Sequence, residues 1–142
     1  MSKGMVAKAA VAIDAPKEKV WEALVNPALI KQYMFGTDTA CEWKKGSAIT
    51  WSGVWQGKAY VDKGVILKIE RERVLRYTYF SPLAGQADVP ENYHTVTVKV
   101  ANTENGTLLS LLQDNNRTQQ EMEHSQQNWN MVFDSIKKLL EK

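Results

Sequence analysis

The sequence predicts an α+β domain in which a curved antiparallel sheet wraps around one long C-terminal helix, with two short helices after the first strand. Three observations predict it. From Thr37 to Gln113 the apolar residues recur with a period of two, as strands require. From Thr118 to Lys142 no Pro or Gly interrupts, and Met122, Trp129, Phe133, Ile136 and Leu140 recur at spacings of seven, four, three and four, one face of a helix. A sheet that is polar on one side needs a cover for its apolar side, and only the terminal helix is long enough to supply it.

The elements follow in order. Met5 to Ile13, rich in Val and Ala, reads as the first strand. Asp14-Ala15-Pro16 then starts a helix, with Asp14 as its cap and Pro near the first helical position. Lys17 to Val25 carries Val20 and Leu24 on one face with Trp21 beside them, and Asn26-Pro27 breaks it. A second helix, Ala28 to Met34, brings Leu29, Ile30 and Tyr33 to one side. Strands are expected at Thr39 to Trp43, Ala48 to Trp51, Ala59 to Glu70, Val74 to Phe80, Tyr93 to Ala101 and Thr107 to Gln113. Ser52 to Lys58, with two glycines, is a hairpin connection, and the strand-interior Gly64 marks a bend or bulge. Ser81 to Glu91, with Pro82, Gly85 and Pro90, is a loop. Asn102 to Gly106 closes a hairpin, and Asp114 to Arg117 is a polar, capping-rich approach to the last helix.

With 142 residues the chain is expected to form a single domain over residues 1–142. A net charge of +2, with no basic run, does not by itself imply a nucleic-acid surface, and no nucleic-acid partner is expected. Without a signal-peptide pattern or an apolar run of about 18 residues, no membrane span is expected, and the reading is cytoplasmic. The lone Cys41 excludes an internal disulfide and a multi-cysteine metal site, and reads as a small buried hydrophobe rather than a nucleophile. His94 and His124 lie far apart, so neither a metal nor a cofactor is expected.

A set of local patterns recurs along the chain: Ile13-Asp-Ala-Pro-Lys-Glu-Lys-Val-Trp-Glu-Ala-Leu24, Asn26-Pro27, Lys45-Gly-Ser47, Gly64-Val-Ile-Leu-Lys-Ile-Glu70, Val74-Leu-Arg-Tyr-Thr-Tyr79, Gly106-Thr-Leu-Leu-Ser-Leu111 and Asn128-Trp-Asn-Met-Val-Phe-Asp-Ser-Ile-Lys-Lys-Leu-Leu-Glu141. In this order they resemble the START-like, or Bet v 1-like (SRPBCC), helix-grip superfamily. Within it the chain is most similar to proteins like the activator of the heat-shock-protein-90 ATPase, over roughly Ala9 to Lys142. That superfamily includes lipid and hormone carriers, polyketide cyclases, oxygenase subunits and co-chaperones, so the resemblance implies a fold and leaves function to the site. Many relatives place Trp-Trp or Trp-Phe at the tip of the second helix, where this chain has Tyr33-Met34-Phe35. The eukaryotic activators carry a further N-terminal domain that contributes to chaperone binding; none is expected in a chain this short, so the resemblance is expected to imply ligand binding before a co-chaperone role.

If the helix-grip fold holds, one strand parity faces the terminal helix. Matching parity to the apolar side gives Ile49 and Trp51; Val65, Leu67 and Ile69; Leu75, Tyr77 and Tyr79; His94, Val96, Val98 and Val100; and Leu109, Leu111 and Gln113. The helix adds Met122, Gln126, Trp129 and Phe133, the last two expected almost fully buried. Apolar walls with sparse polar tips are the composition of a small-molecule pocket; the alternative is an ordinary core. The cavity-lining candidates are therefore Trp51, Tyr77, Tyr79, His94, Gln113, Met122, Gln126, Trp129 and Phe133, opening near Ser81 to Glu91 and Ala28 to Phe35. The expected partner is a small hydrophobic or aromatic molecule bound without catalysis. A stress-related co-chaperone module with a chaperone partner is the alternative. A cyclase- or hydrolase-like enzyme would have His94, Tyr77 and Tyr79 to work with, and no base–nucleophile pair is visible. Monomer and dimer both remain open.

Overall fold

The structure, a computed structural model, describes residues 4–141, apart from the side chains of Trp55 and Ala84. Seven strands, β1 (Met5–Ile13), β2 (Asp38–Cys41), β3 (Ala48–Trp55), β4 (Lys58–Glu70), β5 (Val74–Tyr79), β6 (His94–Thr103) and β7 (Gly106–Asn116), form one antiparallel sheet in the order β1-β7-β6-β5-β4-β3-β2. Helices α1 (Lys17–Val25) and α2 (Pro27–Tyr33) stand between β1 and β2, and α3 (Gln119–Leu140) follows β7. This is the expected α+β helix-grip architecture. The terminal helix, expected over Thr118 to Glu141, runs Gln119–Leu140, and Lys142, the last residue of the family resemblance, lies outside the described residues.

Helix ends differ from the expectation in ways the hydrogen bonds explain. Asp14 caps nothing: Pro16 occupies the N-cap of α1 and no side chain caps it. Asn26, read as a breaker, caps α2 instead, its Oδ1 accepting from the Ala28 N–H at 2.9 Å. For α3 the cap is Thr118, whose hydroxyl accepts from the Glu121 N–H at 3.1 Å, while β7 runs on to Asn116. Glu121 in the first turn and Lys137 and Lys138 in the last complement the helix dipole.

Helix α3 lies along the open edge of β1 and satisfies it. The Lys8 N–H donates to Gln126 Oε1 at 3.1 Å, Lys137 Nζ donates to the Ala12 carbonyl at 3.0 Å, and the Asp14 N–H donates to Glu141 Oε2 at 2.8 Å. The Asp14 amide, followed by the Lys137 ammonium, holds the Glu141 carboxyl below the usual carboxylate range. A carboxylate with a depressed folded pKa adds stability above its unfolded pKa and loses it as pH falls through the folded value. Glu141→Gln is therefore expected to flatten the acid limb of a plot of Tm against pH below about pH 4. An acid limb identical to the native one would count against the clamp.

The inward parity of β4 is the main correction to the sequence reading. Val65 and Leu67 are 41% and 39% exposed, and Ile66, at 1%, faces the core with Gly64 and Asp62. The register with β5 shifts between Ile66 and Lys68, beyond the bend expected at Gly64, and this bulge returns Ile69 to the core side. Gly64 instead permits a close approach of two strands, since a Cβ there would sit 1.7 Å from the Thr78 carbonyl oxygen on β5. The β3–β4 hairpin turns at Gln56-Gly57, whose φ values of 51° and 79° are those of a primed turn that suits strand twist.

Candidate functional site

Beneath the concave face lies a cavity of about 50 Å³. Ile49 and Trp51 of β3, Leu75 and Tyr77 of β5, Val98 of β6 and Leu111 of β7 form the sheet side. Ile30, Tyr33 and Met34 come from α2 and its C-cap, and Trp129, Val132, Phe133 and Ile136 come from α3. Leu24 of α1 and Trp43, in the β2–β3 connection, complete the wall. The space would hold a few waters and is well below the roughly 300 Å³ of a small-molecule pocket. Of its wall residues, only Met34, Trp43 and Trp129 keep appreciable exposure, which places the mouth among these three.

Four of the nine sequence candidates, Trp51, Tyr77, Trp129 and Phe133, line this cavity. Phe133 is 2% exposed as expected, whereas Trp129 is only partly buried. Gln113, Gln126, Tyr79 and His94 are not among the wall residues, and each makes a hydrogen bond elsewhere. Gln113 Oε1 accepts from Trp129 Nε1 at 2.6 Å and its amide donates to Ser125 Oγ at 3.4 Å, so Gln113 fixes the Trp129 ring. Gln126 turns to the β1 edge. Met122 is half-buried outside the cavity wall. Tyr79 packs edge-on against Trp51, with centroids 5.4 Å apart, and its hydroxyl donates to Asp62 Oδ2 at 2.6 Å. His94 lies beside Tyr79 at 6.3 Å and places Nδ1 2.8 Å from the Asp114 carbonyl. That acceptor requires a proton on Nδ1 and leaves Nε2 as the acceptor of the neutral ring.

The loop after β5 takes no part in the wall, so of the two segments expected at the opening, Ser81 to Glu91 and Ala28 to Phe35, only the second borders the mouth, through Met34. The loop is pinned to the sheet instead: Lys63 pairs with Asp88, and Tyr93 donates to Asp88 Oδ1 at 2.6 Å. Burial pushes the phenols of Tyr33 and Tyr77 well above their usual pKa, and does the same for Tyr79 with help from the Asp62 charge. All three are therefore donors, not bases, near neutral pH.

Strand parity does not reach the α2 side chains, which sit on a helix, and Trp43, expected at the end of the Thr39 to Trp43 strand, lies past the end of β2 at Cys41. The readable signal was Tyr33-Met34-Phe35, where the chain departs from its relatives. Cys41 is half-buried and its Sγ accepts from the Trp43 N–H at 3.2 Å. A serine keeps that acceptor, so Cys41→Ser is expected to cost about 1 kcal/mol or less in urea unfolding and to leave ligand responses unchanged. Loss of any measured turnover in a folded Cys41→Ser protein would show a chemical role for the thiol.

Among the described residues no cluster of His, Cys, Asp or Glu could hold a metal ion, and no helix is long and apolar enough to cross a membrane.

A seven-stranded sheet gripping one terminal helix over an aromatic-walled cavity defines a START-like helix-grip protein. The family model "Activator of Hsp90 ATPase homolog 1-like protein" matches residues 14–141, and the chain belongs to that family. The solution structure of ChR145 from Cytophaga hutchinsonii is 50% identical, with 99% of this chain and 97% of that one covered and a TM-score of 0.87. Protein MLL2253 from Mesorhizobium loti is 23% identical, with 96% of each chain covered and a TM-score of 0.80. The Aha1 dimer from Colwellia psychrerythraea is 18% identical, with 96% of each chain covered and a TM-score of 0.76; the last two carry the fold alone. No curated protein matches the chain significantly.

Proposed function

We propose that this domain is a non-catalytic, cytoplasmic binder of a small apolar or aromatic molecule, held in an expanded form of the cavity between the sheet and α3. The supporting observation is the wall itself. Aromatic and aliphatic side chains from three helices and four strands converge on a space that core packing leaves unfilled, with a mouth at Met34, Trp43 and Trp129. At about 50 Å³ the space must grow to admit a ligand. The element best suited to yield is α2, a seven-residue helix, too short to be stable by itself. Apolar walls would supply most of the affinity.

A thermal-shift screen of flat aromatic and fatty compounds tests this. A compound binding only the folded state at a hundred times its Kd stabilises by about 2.7 kcal/mol, an easily read shift. Met34→Trp, which fills the mouth, is expected to abolish the response while the free protein keeps its Tm. A silent screen with the folded native chain overturns the reading.

A second reading, a stress-related co-chaperone module, is favoured by the family membership and by exposed apolar residues: Phe35 at 71%, Val54 at 70% and Val61 at 53%. Val54 and Val61 are diagonal neighbours on the convex face of the β3–β4 hairpin. Capture of a heat-shock-protein-90-type chaperone that is lost in Val54→Ser, alongside a silent ligand screen, would install this reading instead.

A further inference from the structure

Asp62 is a charged residue on the concave face that the cavity does not use. It is 9% exposed and lies on the inward parity of β4. In register it stands opposite Trp51, and on the other side of Trp51 stands Thr39 of β2, also 9% exposed. Asp62 Oδ1 and Thr39 Oγ1 are both buried without a hydrogen-bond partner among the described residues. The other carboxylate oxygen, Oδ2, accepts one neutral donor, the Tyr79 hydroxyl, and Asp62 forms no ion pair among the described residues. A carboxylate taken out of water needs a charge partner or a full set of donors, and one phenol is neither.

The same end of the sheet has a closure. Tyr60, two residues before Asp62, lays its ring over Gly53, where an added Cβ would meet the phenol oxygen at 2.8 Å. Thr37 Oγ1 gives its proton to the Met34 carbonyl at 2.7 Å, so the Tyr60 hydroxyl, also at 2.7 Å, donates to Thr37. This chain joins the cover over the Asp62 end to Met34 at the cavity mouth.

We propose that Asp62 is the anchor for a protonated amine on the bound molecule, with Thr39 as a second polar contact across Trp51, so that the ligand class is a small apolar or aromatic amine. The inference rests on the cavity reading and sharpens it. An ammonium supplies both things Asp62 lacks, a donor for Oδ1 and a positive charge. Trp51 stands opposite Asp62 and Tyr79 bonds to it, so two aromatic rings of the kind that attract cations lie beside the carboxylate. An alcohol would satisfy the oxygen but not the charge, and a carboxylate ligand would face a like charge.

The test compares 2-phenylethylamine, 2-phenylethanol and phenylacetate by calorimetric titration of the whole chain at pH 7. The amine is expected to bind at least tenfold tighter than the alcohol, with phenylacetate weakest. Asp62→Asn is expected to erase the amine's advantage, leave the alcohol's Kd unchanged, and give a free protein whose Tm is no lower than native. Tyr79→Phe, which keeps the charge, is expected to retain the amine preference. An amine no tighter than the alcohol, a preference surviving Asp62→Asn, or a collapse in the Tm of that variant overturns the anchor while leaving the cavity reading standing. Failure of all three probes to bind overturns both.

Discussion

Gly64→Ala is expected to be the most damaging single-methyl change in this protein, costing about 4 kcal/mol or more and lowering Tm by on the order of 10–20 °C. The added Cβ would lie 1.7 Å from the Thr78 carbonyl oxygen and 2.6 Å from its carbon. Both are backbone atoms of β5, so no side chain can rotate away. Gly64 has no left-handed φ, so its backbone conformation is open to alanine and the clash alone decides the outcome. Relief requires β4 and β5 to part, and β5 carries Leu75 and Tyr77 of the cavity wall. Gly57→Ala supplies the contrast. It has a left-handed φ of 79° with nothing within 4 Å of the added Cβ, so only backbone strain is at stake, about 1 kcal/mol. Urea unfolding of the two variants separates the mechanisms. A Gly64→Ala protein within 1 kcal/mol of native would mean that the β4–β5 approach is not as described.

The same strand marks how far the sequence could be read. The bounds of β1 and α1 coincide with those expected, because Asp14-Ala15-Pro16 and Asn26-Pro27 punctuate the chain between and after them. In β4, Val65, Ile66 and Leu67 are all apolar, so alternation has no contrast there, and an even or odd inward set fits equally well. Choosing the odd set put Val65 and Leu67 inside. It also turned Asp62 outward, which hid the buried polar residue that carries the amine proposal. The position of Gln113 and Gln126 off the cavity wall has another cause. Their side chains are satisfied by Trp129 and by the Lys8 amide, 16 and 118 residues away, and pairings at such separations leave no local trace. Trp43 was expected at the end of the Thr39 to Trp43 strand, but β2 stops at Cys41 and the φ of 59° at Trp43 belongs to a connection, where strand parity cannot place a side chain.

Phe133→Ala is the second large effect, an expected loss of about 3–5 kcal/mol. Phe133 is 2% exposed and its ring meets Trp129 edge-on at 6.3 Å. Truncation costs the transfer energy of the ring plus the void left behind, and the second part depends on how far the walls can collapse. Here a cavity of about 50 Å³ already persists beside the ring, so the surrounding sheet and helices do not close small gaps. The void should therefore survive, merge with the existing cavity and put the cost in the upper part of the range. Trp129, partly exposed, gives up less apolar burial; Trp129→Phe keeps most of the ring and chiefly orphans Gln113 Oε1, an expected cost of about 1–3 kcal/mol. The enlarged Phe133→Ala cavity has apolar walls and is expected to take up benzene or toluene, seen as a rise in Tm larger than any the native protein shows. Urea unfolding and a benzene thermal shift measure the two effects together. A cost below 1 kcal/mol with no response to benzene would mean that α3 repacks freely on the sheet, and the rigid grip described here would be wrong.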